Sequence, residues 1–268
     1  MGPNDLHRQL RIDALLRGAA ITAVAVMVVM LVLSPQERHD SAATVLLILC
    51  GALWLGLSLV TARTAKQLAQ IHESTSGDPD ETEKLLTNLM RRWPLHRSVR
   101  LHLYYRLSAL HHRGGRFDRS VPLMQALLAR HPGPPREARA HLLLMLVEAA
   151  LYGGNMQDAY EGLIALNRLP LNLNERLERL TLQVHYEIAI GRDDLPIEAI
   201  APTLELVELL PPPLCGALHV TLWGAAERCG HNALAQWLLS RARLLCTEEQ
   251  IHRIAGGQWI PKVAERLG

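Results

Sequence analysis

The sequence GAAITAVAVMVVMLVLSPQ at residues 18–36, together with AATVLLILCGALWLGLSLVTA at residues 42–62, decides how this chain is organised. Neither run contains a charged residue, and each is close to the roughly 20 residues that a helix needs to cross a hydrocarbon core of about 30 Å. A short polar stretch, residues 34–41, connects them. The pattern predicts two transmembrane helices joined by a short external loop, ahead of one larger helical domain.

A cleaved signal peptide is the alternative explanation for the first apolar run. The flank before it is basic, as in a signal peptide, but the run is long and no A-x-A-like cleavage motif follows it. The second apolar run also begins almost immediately. These features favour two retained membrane spans.

Basic residues beside the two runs predict the orientation. The arm at residues 1–17 contains three arginines, and two basic residues closely follow the second run, whereas Arg38 is the only basic residue of the loop. Basic flanks stay on the cytoplasmic side. We therefore predict a bacterial inner-membrane protein with both termini and the main domain in the cytoplasm.

Glycine recurs at a nearly constant interval after residue 63. The recurring glycines are Gly77, Gly115, Gly154, Gly191 and Gly230, separated by 38, 39, 37 and 39 residues. Prolines follow most of them, at Pro94, Pro132, Pro170 and Pro211. Glycine permits a tight turn between antiparallel helices and proline ends the second helix. The period predicts a stack of helix pairs.

This spacing divides the main domain into five units and a closing helix. The units are residues 64–94, 95–132, 133–170, 171–211 and 212–247, and the closing helix lies in residues 248–268. The fourth unit is longer, which predicts an insertion at residues 193–196. Thr247 and Gln250 have the spacing of a capping box at the start of the closing helix.

The second unit resembles the tetratricopeptide repeat. It carries that family's aromatic, leucine, small and turn positions at Tyr104, Leu107, Ser108, His111, residues 115–120 and Pro132. Residues 154–159 and 230–235 match the central turn. The resemblance covers residues 64–247, about two-thirds of the chain. It implies an all-α solenoid, although the period exceeds the family's 34 residues, and other helical-pair solenoids share the pattern.

The same resemblance implies that the first helix of each unit lines a groove for a protein or peptide partner. Its groove positions fall on His102, Tyr105, His112, Arg113, His141, Glu148, Glu178, His185, Glu227 and Arg228. The Lys/Asn set with which some members hold a peptide carboxylate is absent. The small residue of the first helix is replaced by Val147 and Val184 in the third and fourth units.

The net charge of +2 hides two segments of opposite sign. Residues 91–119 contain eight arginines and one acid, and residues 148–208 contain eleven acids and four arginines. The candidate basic patch is Arg91, Arg92, Arg97, Arg100, Arg106, Arg116 and Arg119. It suits anionic lipid or an acidic protein segment, or it is simply a solvated face. No nucleic-acid-binding motif accompanies it.

No sequence motif indicates catalysis, a cofactor or a metal. Phosphate-binding loops, nucleophile motifs and zinc-type Cys/His spacings are absent, so we predict neither enzyme activity nor a cofactor. The favoured hypothesis is a membrane-anchored scaffold that binds a partner in a cytoplasmic groove. Organisation of an anionic membrane surface by the basic patch is the first alternative, and an enzyme of unmarked type is the second.

Overall fold

The computed structural model describes residues 3–33, 40–73, 79–92, 95–129 and 136–256. Every regular element in these ranges is a helix, so the predicted all-α class is confirmed for them. The chain divides into two compact structural units, residues 1–134 and 135–268. From here on, the first unit and the second unit mean these two and not the predicted repeat units. Gly77, Pro94 and Pro132 of the predicted repeat lie outside the described residues, as does most of the predicted closing stretch after residue 256.

The first unit contains a long helical hairpin and three shorter helices. Its helices are α1 (Pro3–Leu33), α2 (Asp40–Glu73), α3 (Pro79–Met90), α4 (Arg97–Arg113) and α5 (Phe117–Leu128). Helices α1 and α2 pack together, α3 and α5 pack on α4, and the start of α1 also packs on α4 and α5. The second apolar run therefore continues without a break into the predicted first repeat, because both lie on α2.

Large apolar side chains are exposed in the half of the hairpin that holds the end of α1 and the start of α2. Ile21 on α1 is 65% exposed, and Leu53 and Trp54 on α2 are 56% and 59% exposed. Among the residues described, one stretch, Ile48–Leu68, is long and apolar enough to cross a membrane. It begins six residues later than the predicted second span. The first predicted span, residues 18–36, extends beyond the described part of α1.

The start of α1 is part of the core of the first unit. Leu6 and Leu10 of α1 are buried. Arg100 on α4 is fully buried and forms an ion pair with the buried Asp13 of α1. Arg100 Nη1 also donates to Gln9 Oε1 at 2.7 Å and to the carbonyl of Met90 at 3.0 Å. Residues 3–17 of the predicted arm are therefore part of a docked helix.

In its described residues, 136–256, the second unit contains eight helices. They are α6 (Arg136–Tyr152), α7 (Met156–Asn167), α8 (Leu173–Ala189), α9 (Asp194–Glu198), α10 (Ile200–Val207), α11 (Pro212–Arg228), α12 (Asn232–Leu245) and α13 (Glu248–Ala255). Helix α6 packs on α7 and α8, while α11 packs on α8, α9, α12 and α13. The short helix α9 occupies the predicted insertion. The capping box predicted at Thr247 and Gln250 begins α13.

The recurring glycines are the turns between paired helices. Gly115, Gly154, Gly191 and Gly230 are the residues with positive φ in the described ranges, at 68°, 69°, 77° and 78°. This backbone region is strained for residues with a Cβ and readily adopted by glycine. Each follows a 17-residue helix (α4, α6, α8 and α11) and precedes the next. The periodic turn prediction is confirmed at these four positions.

Helices α6 and α7 approach closely at Val147 and Gly162. Val147 is the bulky residue that replaces the repeat's small position, and it is fully buried. A methyl group built on Gly162 of α7 would overlap Val147 Cγ2. The glycine thus accommodates the bulk of Val147, so the small residue lies on the second helix of the pair.

We expect Gly162→Ala to lower the free energy of unfolding by about 1–3 kcal/mol, because the added methyl overpacks the α6–α7 contact. Val147→Ala should cost roughly 2 kcal/mol through the cavity that it leaves. The double variant should lose less than the sum by at least about 1 kcal/mol, since the new methyl fills that cavity. Thermal or chemical unfolding of the full chain in detergent measures these differences.

Gly224→Ala on α11 is the matched control. A methyl there meets only the flexible end of Arg228, so the substitution should be neutral or stabilising by up to about 1 kcal/mol. Simple additivity of the Gly162 and Val147 effects would contradict this packing description.

Candidate functional site

Three of the four predicted groove residues in the first unit are accessible. His102 and Arg113 are exposed and Tyr105 is half-buried. His112 is buried, and its ring packs edge-on against Phe117 of α5 with centroids 5.3 Å apart. The structure corrects the prediction for His112, because its side chain belongs to the α4–α5 contact.

Fewer arginines are exposed than the predicted basic patch contains. Arg91, Arg92 and Arg97 are exposed and Arg106 is half-buried. Arg100 is removed from the surface by its burial beside Asp13, which corrects its assignment to the patch.

The other basic side chains of this segment include two beside an acid of α3. Arg116 Nη1 lies 2.8 Å from Glu83 Oε2, and Arg119 Nη1 lies 3.9 Å from Glu83 Oε1. Arg92 Nη1 donates to Gln67 Oε1 of α2 at 2.6 Å. The two pairs with Glu83 and the burial of Arg100 therefore reduce the positive charge that this segment presents to solvent. Arg91 and Arg97 are exposed.

Helices α6 and α8 carry four of the predicted groove residues of the second unit. His141 and Glu148 lie on α6, and Glu178 and His185 lie on α8. Glu148 is buried, whereas the other three are partly exposed. The remaining pair, Glu227 and Arg228, is exposed at the end of α11, where Arg228 Nε donates to Asp193 Oδ2 at 2.8 Å.

Acidic side chains meet where α8 packs on α6. Burial and, to a smaller extent, the negative charges of Glu148 and Glu175 together raise the pKa of Glu178 to about 7. We call these three carboxyls the acidic seam. Removal from water and like charge both disfavour the ionised form of a carboxyl. Glu178 therefore holds its proton close to neutral pH.

Two other titratable side chains lie on the same two helices, His185 on α8 and Tyr152 on α6. Burial lowers the pKa of His185 to about 4, so this ring is neutral at physiological pH. Burial and the charge of Glu148 raise the pKa of Tyr152 to about 12. Neither side chain supplies a positive charge to the seam. A cationic group entering from outside would allow Glu178 to ionise and would be attracted to all three carboxyls.

Aromatic residues near the acidic seam and two polar residues of α1 that contact α4 were not predicted from the sequence. Tyr152 is one turn beyond Glu148 on α6, and Tyr160 stacks on Tyr186 of α8 with centroids 6.0 Å apart. The i, i+4 spacing of Glu148 and Tyr152 and the rarity of aromatic residues in this chain were signals available in the sequence. Gln9 and Asp13 gave no such signal, because their partners on α4 are about 90 residues away.

Comparison with known proteins finds no match: no family, no curated protein and no solved structure is similar to this chain.

We expect Glu178→Gln to stabilise the chain at pH 8 and to be nearly neutral at pH 4. The folded-state pKa of about 7 lies above the ordinary value of 4.5. The stability associated with the protonated carboxyl is therefore fully present below pH 4.5 and is lost as the pH rises through 7. The uncharged amide avoids that loss, which is worth about 2–3 kcal/mol. Thermal midpoints at the two pH values measure it.

Glu205→Gln on α10 is the matched control, because Glu205 is exposed in the same unit. Its effect should be within about 0.5 kcal/mol of zero at both pH values. If Glu178→Gln shifted stability equally at pH 4 and pH 8, the proposed protonation of the acidic seam would be wrong.

Proposed function

We propose that this chain is a membrane-anchored helical-repeat scaffold. Its hairpin crosses the cytoplasmic membrane twice, and its tetratricopeptide-like helix pairs present a binding surface in the cytoplasm. The acidic seam on α6 and α8 is the observation that carries the binding part of the proposal. The occupant that fits it best is a basic segment of a partner protein.

The exposure pattern of the hairpin supports two spans. Arg17 Nη2 of α1 donates to Thr61 Oγ1 of α2 at 3.2 Å. Beyond this contact the large apolar side chains of both helices are exposed, while Asp13 and Thr64 on its other side are buried in the first unit. Contiguous apolar surface of this kind is unusual in a soluble monomer and normal against lipid. We place the cytoplasmic boundary of the membrane at Arg17 and Thr61.

The location of the helix pairs follows from that boundary. Helix α2 continues to Glu73 on the same side as the docked start of α1. Basic residues flank the boundary on this side, as expected for the cytoplasmic face. Both termini and the repeats are then cytoplasmic.

The chemistry of the acidic seam supports a basic partner. Glu148 and Glu178 are on the first helices of two consecutive pairs, which are the helices that line the groove in tetratricopeptide-type repeats. Glu178 is partly exposed, so a lysine or arginine side chain of a partner can form a charge-assisted hydrogen bond with it, and the negative charge of the buried Glu148 strengthens the attraction. Tyr152 is 39% exposed and adds a partly apolar surface at the same helix end. Helical grooves recognise peptide segments through such spaced anchors.

Lipid organisation is the second candidate, and Arg91 and Arg97 favour it. Both are exposed in the unit that holds the hairpin, and Arg92 contacts the cytoplasmic part of α2. Clustered basic residues beside a span attract anionic headgroups by roughly 1 kcal/mol each. The burial of Arg100 and the pairing of Arg116 with Glu83 leave few charges for this role.

Crosslinking in native membranes tests the proposed function. Full-length wild type and a Glu148→Gln, Glu178→Gln double variant are crosslinked, extracted and affinity-purified, and their copurifying proteins are compared. We expect the wild type to recover a partner through a basic segment. The double variant should recover it at least about tenfold less, because the charged contact to Glu178 and the attraction of Glu148 are both lost.

Two control variants separate the candidate functions. Glu205→Gln should recover the partner as well as the wild type does. An Arg91→Gln, Arg97→Gln variant should do so too, and loss of the partner only in this variant would favour the basic patch. Equal recovery of the same proteins by all variants would contradict a partner site on the acidic seam.

A further inference from the structure

Three metal-binding side chains converge between the end of α10 and the first half of α11. Glu208 follows α10, and Cys215 and His219 lie one turn apart on α11. One donor atom from each of the three lies within 4.8 Å of the other two. Residues at i and i+4 share a helix face, which explains how Cys215 and His219 point to the same place.

His219 is the strongest indication that this cluster binds a ligand. Its side chain is fully buried, and Nδ1 lies 2.8 Å from the backbone oxygen of Cys215. A carbonyl oxygen only accepts, so Nδ1 carries a proton, and in the neutral form of the ring Nε2 presents a lone pair. Nε2 has no hydrogen-bond partner and faces Glu208 Oε1 at 3.8 Å. A buried polar atom without a hydrogen-bond partner is uncommon in folded proteins.

A bound cation would stabilise the deprotonated form of Cys215. Its thiol is buried, and its Sγ lies 3.6 Å from Nδ1 of His219, the ring nitrogen separated from Nε2 by one carbon. Burial and the nearby charge of Glu208 raise the pKa of this thiol to about 11. A bound divalent cation reverses that preference, because a coordinating thiol loses its proton to the metal's charge.

Glu208 is held in place by Arg241 of α12. Arg241 Nη2 donates to Oε2 at 2.8 Å and Nε donates to Oε1 at 3.1 Å. These bonds lower the pKa of Glu208, so the carboxylate is ionised. Each carboxylate oxygen has a second lone pair for a metal, and such outer contacts commonly orient a metal-binding carboxylate. The side chain of Glu208 is 41% exposed, which leaves an approach from solvent.

We propose that Glu208 Oε1, Cys215 Sγ and His219 Nε2 bind a divalent transition metal of the zinc class. One oxygen, one sulfur and one nitrogen suit borderline-soft Zn²⁺ better than the oxygen-seeking Mg²⁺ or Ca²⁺. In a tetrahedral zinc site, neighbouring N and O ligands lie about 3.4 Å apart. The 3.8 Å between His219 and Glu208 therefore needs only a small movement of the half-exposed Glu208.

The three side chains leave the fourth position of a tetrahedral site without a protein ligand from this cluster. Three protein ligands plus a water or an external group is the pattern of zinc sites that exchange a ligand, whereas purely structural sites have four protein ligands. The metal would also connect α10 to α11, because its ligands come from both. Binding should therefore raise the thermal stability of the chain.

Titration of the full chain with cobalt tests this site. The protein is purified in detergent, stripped of metal with a chelator and titrated with Co²⁺, whose thiolate complexes absorb in the near ultraviolet and visible. We expect one equivalent of Co²⁺ to bind with thiolate-to-metal absorption, and Zn²⁺ to displace it. Zn²⁺ should raise the thermal midpoint of the wild type.

Variants identify the ligands. Cys215→Ser should lose the thiolate absorption, and His219→Ala should weaken cobalt binding at least about tenfold. Cys246→Ser is the matched control, since its partly buried thiol lies near Gly216, the residue that follows Cys215 on α11. It should retain both the absorption and the zinc effect on the thermal midpoint.

Two results would overturn the proposal. The first is a folded wild-type chain that shows no thiolate absorption with excess Co²⁺. The second is absorption that persists in Cys215→Ser or disappears in Cys246→Ser. Thermal midpoints recorded without metal distinguish either result from simple unfolding of a variant.

Discussion

The structure of the first unit depends on the burial of Arg100 beside Asp13. The side chains of this pair are 0% and 4% exposed, so neither charge retains much hydration. Desolvation of an ion pair is compensated only when its remaining hydrogen-bonding groups are satisfied. Arg100 meets this condition through Gln9 and the carbonyl of Met90. Asp13 Oδ1 is buried and has no hydrogen-bond partner among the described residues, so the pair is compensated on the arginine side. The start of α1 is thereby fixed on α4.

Much of the fold could be predicted from local sequence. Positive φ is needed wherever two antiparallel helices meet in a short turn, so Gly115 and its counterparts marked the helix pairs through their period. The docking of α1 could not be predicted in this way, because it joins positions about 90 residues apart. Arg100 lies in a run of arginines, and a charge run usually indicates a solvated face. Only the packing of α1 on α4 distinguishes it from Arg97.

The candidate sites show the same division between local and long-range information. Glu148 and Glu178 were selected by their positions within a repeat, and the structure places their charges close enough to interact. His112 was selected by the same rule and is buried, because the α4–α5 contact takes its ring. The Glu208, Cys215 and His219 cluster was missed, although Cys215 and His219 are four residues apart. Its acidic member follows a different helix, and short-range zinc spacings do not include it.

A double-mutant cycle on Asp13 and Arg100 tests the central claim most directly. Asp13→Ala, Arg100→Met and the double variant are compared with wild type by unfolding of the full chain in detergent. If the buried pair fixes α1 on α4, each single variant should lose about 3–5 kcal/mol, since it leaves one charge buried alone. The double variant should then lose at least about 2 kcal/mol less than the sum. Losses that add within about 0.5 kcal/mol would show that the two side chains do not interact.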